Sequence, residues 1–357
     1  MIVVDHVSGD PLAMFTYHII GFSDAAEIFV FLSGIACGIA YSRIFARDGM
    51  LGLIKSTATR AGRIYLYYAL SSAATILIIS TAMRHEGLNS NFNGGLYHYF
   101  AVAAEDPFGA LSAALCLTSA PPLADILVLY MVLTLVAVPA FLGAGHRYRL
   151  LVLVISGAIW AISQILSDVV LPLTNQWIFN PLAWQFLFVI GLFIGSRDGT
   201  KPPILQTLSR HRWIISAAWI IVITAFLYKL MGARFGFDIA WLRLEPSAWA
   251  GMKENLSVFR LAHFLSVALL VATYFRRDNA LLKWRISLPL IKTGMHSLEV
   301  FSLTVVLDVF ENLLLIPRHP SISDRLAMDG VAFLLMALTA IALAHRRNTL
   351  VRTGAVT

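Results

Sequence analysis

Apolar stretches alternate with short polar connections along the whole chain. At roughly 20 residues each, they are long enough to cross a bilayer as helices. They lack the every-second-residue alternation of barrel strands, and only helices or closed barrels satisfy backbone groups in lipid. The pattern therefore predicts helices near 24–45, 63–83, 123–142, 150–166, 182–195, 213–231, 256–274, 290–316 and 326–344. A shorter apolar fragment at 1–7 precedes them. Gly-, Pro- and Asn-rich stretches, as at 89–95 and 201–203, separate the segments. No internal repeat or low-complexity segment is evident.

Composition sharpens this reading. The 357 residues are 58% hydrophobic and 13% charged, with a mean hydropathy of +0.75. A soluble domain carries about 25% charged residues. The expected fold is all-α: one polytopic membrane helical bundle occupying 1–357 as a single domain. The net charge of +7 invites a nucleic-acid partner, but the placement of the basic residues argues against one. Most fall in alternate connections, at 43–63, 147–149, 197–212 and 276–292, and in the tail at 346–352. Basic connections face the cytoplasm. Both termini then lie inside, which requires an even number of spans. The fragment 1–7 accordingly reads as the outer end of a truncated first span, making about ten, with the rest of that span expected upstream of Met1. No basic segment precedes the fragment, so it is not a cleavable signal. Cys37 and Cys116 have neither metal-site nor disulfide spacing.

Ionisable groups inside a bundle cost on the order of 3 kcal/mol and so mark candidate sites. Here they are Asp5, His6, Glu27, Lys229, Arg260, His263, His296, Glu299 and Asp308. Asp5 and His6 are helix neighbours about 100° apart, so each needs a partner on another helix. His6 reads either as a general base or nucleophile near the outer face, or as part of a helix-end pair wetted by headgroup water. Asp24 and Glu27 have the spacing of a capping box, and Glu27 also suits a buried cation or imidazole. Arg260 and His263 share one helix face, as do His296 and Glu299. Arg260 has the alternative of snorkelling outward. A Glu beside a His holds its tautomer or makes a plain structural bond.

Arg60 and Arg63, in "KSTATRAGRIYLYY", share a face entering a span. They serve either as a positive-inside anchor or as bidentate phosphate ligands. No Gly-rich phosphate loop is present. The outer stretches "RHEGLNSNFNGGLYHYF" and "LTNQWIFNPLAWQ" mix amides and aromatics that suit sugars. An interfacial aromatic belt is the simpler account of Tyr97, Trp177 and Trp184.

Five ordered motifs, "DHVSGDPLAMFT…GFSDAAEIFVFLSG", "RAGRIYLYY", "NPLAWQFLFVIG", "NLSVFRLAHFLS" and "GMHSLEVFS", carry a resemblance to the OpgC family across essentially the whole chain. The resemblance implies a bacterial inner-membrane protein tied to succinylation of osmoregulated periplasmic glucans. It also implies kinship with the wider membrane acyltransferase-3 group, which delivers acyl groups to extracytoplasmic sugars. Carried over, it makes His6 the essential histidine at the end of the first span, with Arg60 and Arg63 the basic motif for cytoplasmic acyl-CoA. Asp24, Glu27, Trp184, Gln185, Arg260, His263, His296 and Glu299 fall at further motif positions. The chain departs from the family at the start of the first span, where relatives carry a polar motif, and at Met295.

These readings combine into an expected reaction: acyl-CoA, with succinyl-CoA foremost, donates its acyl group to a glucan or surface-glycan hydroxyl. The expected catalytic set is His6, Asp5, Glu27, His296 and Glu299. The expected acceptor-side set is Asp24, Trp184, Gln185, Arg260 and His263. No tightly bound cofactor, metal or nucleic acid is expected; the lipid bilayer is. Arg260 is a candidate donor to the developing oxyanion. The alternatives are a permease for a sugar or acidic metabolite, whose proton relays use similar residues, and a non-catalytic scaffold in polysaccharide export. Neither repeat symmetry nor matched broken helices favour the permease.

Overall fold

The computed structural model describes residues 16–86, 95–165, 179–196, 207–235, 253–275, 287–315 and 321–352, together with Val4, Leu12 and Trp284. Among them no strand occurs. The helices are α1 (Ala25–Glu86), α2 (Gly95–Glu105), α3 (Pro107–Leu115), α4 (Asp125–Gly143), α5 (Gly145–Ile165), α6 (Pro181–Gly195), α7 (Arg212–Phe235), α8 (Val258–Tyr274), α9 (Ser287–Met295), α10 (Ser297–Leu315) and α11 (Ile322–Arg352). The chain forms two compact units. The first comprises Met1–Thr16, Leu66–Ala124 and Arg276–Thr357, and the second Tyr17–Tyr65 and Asp125–Phe275.

Among the described residues, five helical stretches are long and apolar enough to cross a membrane: Ala25–Met83, Asp125–Gly143, Gly145–Ile165, Arg212–Met231 and Ile322–Arg346. Pro181–Gly195 and Val258–Tyr274 are shorter apolar helices. α5 turns Leu150, Val154, Ile162 and Ile165 outward, and α7 exposes Trp219, Ile220 and Ile223. Such long apolar faces suit lipid rather than water. The protein is a helical membrane protein.

The connection expected at 46–62 is itself helical. Its one interruption is Gly49, at φ 65°, a left-handed conformation that glycine adopts without steric cost. Beyond it, Lys, Ala, Arg and Leu favour helix. The hydroxyls of Thr57 and Thr59 bond back to the carbonyls of Leu53 and Lys55, so both find partners within the helix. At 1.5 Å per residue the segment after Gly49 spans roughly 55 Å, more than a hydrocarbon core is thick.

In the second unit, α1 and α6 meet through two matched small-residue stripes, Gly34-x-x-x-Gly38 and Gly191-x-x-x-Gly195. A β-carbon on Gly34 would strike the carbonyl oxygen of Phe188, and one on Gly191 that of Phe31. Glycine on both sides lets the backbones touch, as in tightly packed membrane helices. α6 starts at Asn180, whose side chain accepts from the Leu182 N–H, with Pro181 at the first helical position. It ends where buried Arg149 donates to the Ser196 carbonyl at 2.7 Å, satisfying a carbonyl the helix leaves open.

The first unit packs α2 and α3 with Ile76, Ile79, Val309 and Leu313 in one apolar cluster. α3 begins at an Asp-Pro pair, Asp106 accepting from the Gly109 N–H at 2.8 Å. The single helix expected near 290–316 divides at His296 into α9 and α10. The His296 N–H still reaches the carbonyls of Lys292 and Thr293, so the break is one residue deep. Thr304 donates to the Met336 sulfur, joining α10 to α11.

Candidate functional site

Two constellations stand out in the second unit, one at each end of the α1 segment before Gly49. At the Gly49 end lies a cavity of about 810 Å³. Arg47, Lys55, Arg60 and Arg63 line it, with Ala36, Ala40 and Ile44 supplying apolar wall and Cys37, Tyr41 and Tyr130 completing it. Arg60 and Arg63, one helical turn apart, thus open on one space. The half-buried Arg60 stacks its guanidinium carbon 5.8 Å from the centre of the Tyr130 ring, a cation–π contact that fixes the side chain. The Cys37 sulfur lies 3.8 Å from the Tyr130 hydroxyl. The one carboxylate among the lining residues is Asp48, and its neighbour Arg47 holds it through two 2.8 Å hydrogen bonds. The cavity is therefore strongly cationic, with an apolar wall beside the charges.

At the other end the charges are paired. Asp24 and Glu27 form the reciprocal contacts of a helix start. The Asp24 N–H donates to Glu27 Oε2 at 2.9 Å, and the Ala26 N–H donates to Asp24 Oδ1 at 2.8 Å. The same carboxylates also hold Arg260. Its Nε donates to Glu27 Oε1 at 2.6 Å, and its Nη2 stands 3.0 Å from Asp24 Oδ2. Lys253 Nζ is 3.0 Å from that same Asp24 oxygen. Cap and ion pair therefore coexist, and Arg260 is buried rather than snorkelling. Burial opposes the charge on Asp24, but Lys253 and Arg260 outweigh it and hold the carboxyl well below its usual range.

His263, one turn beyond Arg260, is fully buried. Its Nδ1 lies 2.7 Å from the Ser23 hydroxyl, itself 2.7 Å from the Tyr17 hydroxyl. The ring sits against Gly21, where any β-carbon would collide with it. Burial pushes the Tyr17 phenol up to about 12, so Tyr17 stays a neutral hydroxyl. Phe22 packs edge-on against His263 and Phe259.

The remaining expected residues are distributed elsewhere. Trp184 is fully buried and directs its ring N–H to the carbonyls of Lys253 and Glu254 at 3.0 and 3.1 Å. It anchors the turn that presents Lys253. Gln185 bonds the Ser156 hydroxyl and donates to the Ser156 carbonyl at 2.8 Å, tying α6 to α5. His296 and Glu299, both half-buried, belong to the first unit one turn apart. Asp5 and His6 lie outside the described residues, as do Trp177 and most of the two amide-rich outer stretches. Among the described residues no group of three or more His, Cys, Asp or Glu is arranged to hold a metal ion.

Sequence reasoning missed Cys37, Tyr41 and Tyr130 as cavity residues and Lys253 as a partner of Asp24. Cys37 and Tyr130 are 93 positions apart, and no local spacing announces their contact. Lys253 sits in a connection where a lone Lys resembles any solvated charge. The matched Gly-x-x-x-Gly stripes of α1 and α6 were the one readable sign that these helices touch.

Searches of curated proteins and of solved structures return no match. The family model described as "OpgC protein" matches residues 1–348, nearly the whole chain, and the protein belongs to the OpgC family.

Proposed function

We propose that this protein is a multi-pass acyltransferase of the bacterial inner membrane, about ten spans with both termini cytoplasmic. In this reading it moves an acyl group, succinyl foremost, from cytoplasmic acyl-CoA to a hydroxyl of a periplasmic glucan or related glycan. The observation that carries the reading is the cavity of about 810 Å³, with four cations, one committed carboxylate and an apolar wall. A nucleotide thioester needs that combination: phosphates meet guanidinium forks, while the pantetheine arm lies along Ala36, Ala40 and Ile44. Family membership supports the acyltransferase class.

The chemistry joins the acceptor oxygen to the thioester carbonyl carbon and breaks the carbon–sulfur bond. The hydroxyl proton passes to a base and then to the departing CoA thiolate. His6 is the proposed base or transient acyl carrier. Asp5, His296 and Glu299 are proposed as its acidic and imidazole support, and Glu27, whose oxygens are held by Arg260 and the Asp24 N–H, is proposed to act by holding Arg260 in place. Asp24, Trp184, Gln185, Arg260 and His263 are proposed for the acceptor side, with Trp184 and Gln185 acting through the turns and helices they tie together. The test is purified full-length protein with labelled succinyl-CoA and a glucan, read by mass spectrometry. Ester formation that His6→Ala abolishes supports the reading. Absence of ester with every donor tried, alongside sugar flux in vesicles, overturns it in favour of the permease.

A further inference from the structure

The four cations that line the cavity are not alike. Arg47, Lys55 and Arg63 are exposed, and Arg47 is engaged with Asp48. Arg60 alone of the four is half-buried. Its guanidinium carbon stands 5.8 Å from the centre of the Tyr130 ring. Tyr130 is itself fixed from several sides. It is 7% exposed. The Phe29 ring meets it edge-on at 5.7 Å, and the Phe188 ring lies at 6.4 Å. Its hydroxyl is 3.8 Å from the Cys37 sulfur. Side chains of α1 and α6 thus hold a ring of α4, and that ring faces a cation from the part of α1 beyond Gly49.

An exposed Arg or Lys gives up rotamer freedom when a ligand fixes it. A guanidinium already stacked on an aromatic face has given up that freedom beforehand, so it meets a phosphate at lower entropic cost. We propose that Tyr130 is a positioning residue of the donor site: its ring face sets the Arg60 guanidinium for contact with a phosphate of the donor. Arg47, Lys55 and Arg63 supply longer-range attraction. This role rests on reading the cavity as the acyl-donor site. It adds one requirement: the electron density of the Tyr130 ring, and not only its bulk, governs donor affinity.

The experiment measures equilibrium binding of CoA and of inorganic pyrophosphate to the full chain in zwitterionic nanodiscs. Tyr130→Phe is prepared plain and with successive fluorines on the ring, with Arg60 present and in the Arg60→Gln background. Fluorines withdraw charge from the ring face and leave its shape nearly unchanged, so folding is preserved. Plain Tyr130→Phe keeps CoA affinity within about threefold of the wild type, and the fluorines lower it stepwise to about a tenth. In the Arg60→Gln background affinity is already down about tenfold, and the fluorines lower it no further. Affinity that ignores the fluorines, or falls equally in both backgrounds, overturns the positioning role and leaves the donor reading intact. If pyrophosphate shows the fluorine dependence while CoA does not bind, the donor reading fails and Tyr130 still positions Arg60 for phosphate. If the wild type binds neither, both fail.

Discussion

The two ends of the first α1 segment use the same residue types for opposite purposes. Near Asp24, two carboxylates spend every oxygen on the backbone, Arg260 and Lys253. Near Gly49, Arg60 and its basic neighbours surround open space, and the single lining carboxylate belongs to Arg47. Charges that satisfy one another fix helices in place. Charges gathered around a cavity leave their field for a ligand. The contrast separates charges that hold one another from charges that face a cavity, where residue type alone does not.

The largest expected effect lies at the paired end. Arg260→Met leaves Glu27 charged, buried and without its cation, and is expected to cost about 3–5 kcal/mol. Thermal unfolding in detergent measures this, and an unchanged midpoint would mean the pair is not framing α1 and α8. Gly191→Leu pushes a side chain into the Phe31 carbonyl and is expected to cost roughly 1–3 kcal/mol or more, read as loss of monodisperse protein. Arg60→Gln at the cavity end is expected to leave the unfolding midpoint nearly unchanged and to raise the KM for acyl-CoA about tenfold, the loss of a charge-assisted contact.

The smallest effect is that of pH. The Asp24 carboxyl sits below its ordinary range in the folded protein, so its stabilising contribution is fully present above about pH 4. It fades as the pH falls through the depressed folded-state value. Asp24→Asn should flatten this acid limb. An acid limb of equal depth in the variant would assign it to other groups.

Much of this was legible in the sequence. The apolar periodicity predicted an all-helical membrane protein, and the Asp24/Glu27 spacing predicted the cap that the structure contains. Arg60 and Arg63 were expected on one face, and they line one cavity. The residues at 46–62 read as a connection between spans because charges lower their hydropathy, yet Lys, Ala, Arg and Leu are good helix formers and the segment is helical. α2 and α3 were hidden in a stretch read as an outer loop, although Asp106–Pro107 was a usable start signal. For Trp184 the sequence left open a sugar contact or an interfacial belt, because composition does not say whether an aromatic is exposed. Its ring proves to be buried, with its N–H spent on the Lys253 turn. Pairings such as Cys37 with Tyr130 are set by how helices cross, which no local pattern encodes.

The division between the two ends is tested most directly by measuring equilibrium binding of acyl-CoA to the full-length wild type, to Arg60→Gln combined with Arg63→Gln, and to Lys253→Met. The double variant should lose at least roughly tenfold in affinity while remaining folded, and Lys253→Met should bind as the wild type does. Equal affinity in all three proteins would contradict the assignment of the cationic cavity to the acyl donor.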